Sequence, residues 1–127
     1  MPDSHEILLT VPALPEFLRV ARVTASGLSS RLGFSIDDVD DLRLALDELC
    51  FTLIGRGSDD KVLRLRYEVT EDLLNIFGTV EAVELNDDSL GELSRQILTA
   101  LVDEHRVWHD IHGKNFSLTK RRALLAS

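Results

Sequence analysis

Residues 36–57, IDDVDDLRLALDELCFTLIGRG, decide how this chain is read. At a helical period, Val39, Leu42, Leu46, Leu49, Cys50 and Leu53 fall on one stripe, while Asp37, Asp41, Glu48 and Thr52 fall on the opposite side. Ser35 is placed to cap the helix, and Asp38 three residues on makes a weaker form of the capping box. Asp37 and Asp38 in the first turn suit the positive helix end. Gly55 and Gly57 offer a left-handed exit.

Before this helix, Glu6–Val11 reads as a strand, punctuated by Pro12 and Pro15. Leu14–Leu32 reads as a second amphipathic helix. Its stripe is Phe17, Ala21, Ala25, Leu28 and Leu32, with Arg19, Arg22, Ser26 and Ser30 facing away. Lying off the stripe, Arg22 is expected to tolerate reversal to Glu without change in the melt.

After Gly57, residues 58–61 read as a loop. Leu63–Val69 then alternates apolar and polar as a half-buried strand does, and Leu73–Val80 is its hairpin partner. Residues 82–88 make a short acidic connection. Ser89 is expected to cap a third helix, with Glu92 completing the box, and Leu90, Leu93, Ile97, Leu98, Leu101 and Val102 are its apolar positions. Arg106–Ile111 and Asn115–Lys120 read as a terminal hairpin around residues 112–114. The order β-α-α-β-β-α-β-β predicts one domain over residues 1–127, a two-layer α/β sandwich.

Composition bounds the function. A chain of 127 residues with 44% hydrophobic content can bury a real core. No apolar run approaches the roughly 20 residues of a membrane span, and no basic-then-apolar leader opens the sequence, so no membrane contact and a cytoplasmic setting are expected. The net charge of −8 argues against a nucleic-acid binder. The single cysteine, Cys50, lies on the apolar stripe and is expected to be buried and inert.

The stretch D-L-R-L-A-L-D-E-L-C-F-T-L-I resembles the N-box helix of bacterial anti-sigma-factor serine kinases, commonly D-L-x-x-A-V-x-E-A-x-x-N-x-I. The resemblance extends along the chain. Pro12-Ala13 followed by Phe17–Val23 looks like the family's first helix, residues 97–104 like its third, and 116–120 like its last strand. It implies the Bergerat, histidine kinase-like ATPase fold, a mixed, mostly antiparallel sheet with three helices on one face. It also implies partners: a sigma factor and a STAS-domain anti-anti-sigma factor, with a homodimer expected. In the family the arginine matching Arg22 meets both partners, which makes Arg19 and Arg22 the candidate partner-binding residues.

ATP and Mg²⁺ are the cofactors the resemblance would bring. Glu48 matches the N-box glutamate, the catalytic candidate if the chain is a kinase. Thr52 stands where the Mg²⁺-binding asparagine belongs; its hydroxyl could still ligate the metal. The other boxes have departed. The family's D-x-G-x-G floor reads Val80-Glu81-Ala82-Val83-Glu84 here, and its G-x-G-L reads Glu92-Leu93-Ser94-Arg95. Gly91 and Gly78 are wrongly spaced for these roles and read as a helix start and a strand irregularity. Residues 81–88 hold Glu81, Glu84, Asp87 and Asp88, which would repel a triphosphate. An anti-sigma factor with little or no nucleotide binding is therefore expected, with an active serine kinase as the alternative.

Three other features have plain readings. Asp37, Asp38, Asp40 and Asp41 read as a solvated helix start, with a cation or basic partner as the alternative. His105, His109 and His112 read as surface residues and no metal is expected. Trp108 reads as core by default.

Overall fold

The computed structural model describes residues 4–81 and 90–123. Among these, the elements are β1 (His5–Ala13), α1 (Leu18–Arg31), α2 (Ile36–Ile54), β2 (Ser58–Val69), β3 (Leu73–Val80), α3 (Glu92–Leu101), β4 (Glu104–Asp110) and β5 (Gly113–Arg121). The five strands form one sheet in the order β1-β2-β3-β5-β4. Every pairing is antiparallel, so the expectation of a mixed sheet is corrected: each strand meets its neighbour through a hairpin or an antiparallel return.

The period-2 alternation decides which face meets the helices. Leu63, Leu65, Tyr67 and Val69 of β2 pair across to Val80, Gly78, Ile76 and Leu74 of β3, and all eight are buried. The Tyr67 hydroxyl donates to the Ala21 carbonyl at 2.9 Å, tying this face to α1. Burial, and secondarily Cys50, raises the Tyr67 phenol well above its usual range, so it stays a donor.

Helix α2 lies at the centre, with Leu42, Ala45, Leu46, Leu49 and Cys50 almost wholly buried. Ser35 Oγ accepts from the Asp38 amide at 3.1 Å, the expected cap. Gly55 and Gly57 adopt φ of 57° and 92°, the expected exit. Burial, then the charge of Asp47, raises the Cys50 thiol far above its ordinary value and suppresses the reactive thiolate.

Four expectations about the scaffold are corrected. Pro15–Phe17 form a 3-10 turn ahead of α1, so Phe17 lies outside the helix, while Ala21 and Ala25 keep their expected core positions. Leu18 thus takes the core position (1% exposed) expected of Phe17 (38% exposed). Strand β2 begins at Ser58, because Ala13 pairs with Ser58 across a bulge in residues that read as a loop. Helix α3 starts at Glu92 with Gly91 as its N-cap, so Glu92 cannot close a box from its expected third position; Ser89 lies outside the described residues. The stripe of α3 is also only partly used. Leu98 is buried, but Leu93 and Ile97 are 71% and 40% exposed.

Gly78 marks no irregularity. It sits in unbroken register between Leu65 and Phe116. The Phe116 ring occupies the space a side chain there would need.

Candidate functional site

Helix α2 presents two chemistries back to back. Successive helical residues point about 100° apart, so Asp47 and Glu48 face different neighbours. Asp47 looks toward α1, where its Oδ2 accepts from Arg22 Nη1 at 3.0 Å. Glu48 looks toward α3, where its carboxylate accepts from the Ser94 hydroxyl. One turn further, the Thr52 hydroxyl donates back to the Glu48 carbonyl at 2.8 Å, the usual arrangement for a mid-helix threonine.

The solvent face of α2 is not where its polar residues suggested. Asp41, Glu48 and Thr52 are half-buried, while Leu44 (58%) and Phe51 (45%) are exposed. The physical reason is β5 and α3 on the second side of the helix. Lys120 of β5, 8% exposed, sends its ammonium to the Leu101 carbonyl at 2.6 Å and lies 3.6 and 3.8 Å from Asp38 and Asp41. That lysine closes the C-terminus of α3 and neutralises the start of α2 at once. Of the four helix-start aspartates, Asp38 and Asp41 thus have an internal partner, and only Asp37 and Asp40 match the solvated reading.

Arg22 is a structural ion pair as well as a surface residue. Its side chain is 31% exposed and that of Asp47 25%. The second Asp47 oxygen is buried with no hydrogen-bond partner among the described residues. The expectation that reversing Arg22 would spare the melt is therefore corrected: Asp47 would be left as a shielded, unpaired charge. Arg19, one turn earlier, is exposed. Arg19, Arg22, Val23 and Ser26 of α1, with Arg43 of α2, line a groove of about 570 Å³. Sequence reasoning missed Arg43 and Asp47, because a pairing across 25 residues leaves no local signal.

The remaining candidates separate. His105 and His109 lie on β4 and His112 in the turn after it. Among the described residues, no three His, Cys, Asp or Glu side chains gather as a metal-holding group. Trp108 is not in the core. It pairs with Asn115 on the sheet face away from the helices, and the Arg106 guanidinium lies 4.6 Å from its ring centroid. With Leu8, Arg66 and Phe77 it lines an open groove of about 640 Å³. No described helix is long and apolar enough to cross a membrane.

No family model matches the chain. The serine-protein kinase RsbW of Bacillus licheniformis is 32% identical over 130 residues, covering 86% of this chain and 81% of that protein. RsbW of Halalkalibacterium halodurans is 33% identical over 92 residues, 72% of this chain; the match spans little more than half of that relative, 56%. Among solved structures, a Mycobacterium tuberculosis protein with RsbU and RsbW domains superposes with a TM-score of 0.68 at 18% identity, over 93% of this chain and 32% of that one. Fold, element order and these relatives agree: the chain belongs to the RsbW family of anti-sigma-factor serine-protein kinases.

Proposed function

We propose that this chain is an anti-sigma regulatory factor with weak or no nucleotide binding. It sequesters an alternative sigma factor and gives it up when a STAS-domain anti-anti-sigma protein takes the same surface, centred on Arg19 and Arg22. Control is then by mutually exclusive occupancy, and its place is the cytoplasm, where sigma factors act.

The observation that carries this reading is the partition of α2. Its nucleotide-side groups are engaged internally, Glu48 by Ser94 and Thr52 by the Glu48 carbonyl. Its α1 side leaves arginines and apolar side chains accessible. The residues present are a poor fit to ATP·Mg²⁺. Thr52 replaces the asparagine that would reach the metal, and Gly91 lacks the second glycine that brings backbone N–H groups to a phosphate chain.

The relatives' own name, serine-protein kinase, favours a second reading. Here the chain would transfer the γ-phosphate of ATP to a serine of its anti-anti-sigma partner, with Glu48 as base. Thermal unfolding with and without 1 mM ATP·Mg²⁺ separates the two. A ligand at a hundred times its Kd stabilises by about 2.7 kcal/mol, a shift of many degrees. The anti-sigma reading expects a shift near zero; a large rise together with ATP-dependent phosphate transfer to the partner that is abolished in Glu48→Ala would install the kinase instead. Co-purification from the native cell should recover a sigma factor or a STAS protein; recovery of neither sinks the anti-sigma reading.

We also propose a homodimer, formed through the open sheet face. Leu8 is 69% exposed there, beside Phe77 and Trp108, and the face carries both signs of charge in Arg64, Arg66, Glu6 and Glu68. A second copy offers the same mixture in return. Sedimentation equilibrium should give twice the chain mass of 14.2 kDa, and Leu8→Glu should reduce it to one. A monomer in the unsubstituted protein would dismiss the proposal.

A further inference from the structure

On a chain of net charge −8, three arginines converge on one groove between α1 and α2. Arg19 has no ion-pair partner among the described residues. Arg43 reaches only Asp40, 3.7 Å away on its own helix, with both side chains about half exposed. Arg22 is paired more closely, with Asp47 at 3.0 Å, and that carboxylate uses one oxygen while the other stays buried without a hydrogen-bond partner among the described residues. Asp47 lies behind the groove lining and holds Arg22 through one oxygen only, less firmly than a bidentate pair would.

We infer that this groove is a docking site for a carboxylate-bearing helix of a protein partner, in which Asp47 stands in for the partner's acid until binding and Arg43 supplies a contact from α2. This rests on the reading of Arg19 and Arg22 as partner contacts and adds the class of partner, the residue that competes with it and a third arginine. Charge complementarity selects the occupant. Three guanidiniums against two carboxylates, Asp47 and the exposed Asp40, leave the groove with a net positive charge on a chain of net charge −8. Val23 in the groove (63% exposed) and Val20 beside it (43% exposed) give it the apolar component that a helix face needs and an inorganic anion does not.

The chemistry is an exchange of ion pairs with no covalent step. The guanidinium of Arg22 passes from Asp47 to the incoming carboxylate, and Asp47 opposes that transfer by its own charge. Removing the charge while keeping the shape, as Asp47→Asn does, should strengthen docking. Arg43→Gln should weaken it, and its exposed position makes it safe for the fold.

The test is fluorescence anisotropy with a labelled helical peptide bearing Glu at i, i+4 and i+7, set against its Gln counterpart. The Glu peptide should bind and the Gln peptide should not. Asp47→Asn should tighten binding about threefold or more, and Arg43→Gln should loosen it by about as much, the scale of one partly screened charge pair. Equal binding of both peptides, or an Asp47→Asn affinity unchanged or reduced, overturns the inference. So does complete displacement by 10 mM inorganic phosphate, which would mark a simple anion site. The anti-sigma reading fails separately: if the Glu peptide binds as described while no sigma factor or STAS protein co-purifies, the groove stands and its assigned partner does not.

Discussion

Gly78→Ala should destabilise the protein by about 3 kcal/mol, the upper range for forcing volume into a packed core. A Cβ at residue 78 would lie 2.1 Å from Phe116 Cε2, 2.6 Å from Cζ and 2.8 Å from Cδ2. None of these is the far end of a flexible side chain. They belong to one ring that is wholly buried and flanked by the β3–β5 register. The ring cannot turn aside without entering the space of its neighbours, since protein interiors hold few voids. For a domain of this size the loss corresponds to a fall in Tm of roughly 10 °C. The companion variant Phe116→Leu loses apolar contact but removes the clash, so the pair should be strongly non-additive. Gly78→Ala should cost little in the Phe116→Leu background, and a double-mutant cycle reads the coupling. Additive losses would show that the glycine acts through its backbone and not through the ring.

What the sequence made legible follows from how far each signal reaches along the chain. The caps and exits of α2 depend on residues three or four apart, and Ser35, Gly55 and Gly57 behave as their types demand. Strand alternation is equally local, and it correctly put Leu63, Leu65, Tyr67 and Val69 on one buried face. The misreadings arise where a second neighbour intervenes. A short 3-10 turn over Pro15–Phe17 delayed the start of α1 and exchanged Phe17 for Leu18 at the first core position. Helix α2 has packed neighbours on more than one side, so its half-buried acids looked like a solvent face. At the candidate site the sequence could single out Glu48 and Arg22 by type and place on their helices. Their partners Ser94 and Asp47 were not legible, because they come from 46 and 25 residues away. Gly78 shows the same limit: its need for space is set by a ring two strands further along the chain.

Reversing Arg22 carries the other large effect, because one substitution acts on both stability and recognition. Arg22→Glu should destabilise the protein by roughly 2 kcal/mol, reduced from the cost of breaking a fully buried pair because both side chains keep some exposure. The new carboxylate would face Asp47, whose buried oxygen has no other donor among the described residues. Partner binding should fall in the same variant, so that measurement alone would confuse a weakened fold with a lost contact. The exchanged pair, Arg22→Asp with Asp47→Arg, separates them. Attraction between α1 and α2 is restored and the melt should recover most of its loss. The guanidinium now projects from α2, however, and a partner that reads its place on α1 should still bind poorly. Recovery of both the melt and sigma-factor binding would show that the groove needs only its total charge. Recovery of neither would show that the 3.0 Å contact contributes little and that Arg22 acts through its alkyl stem.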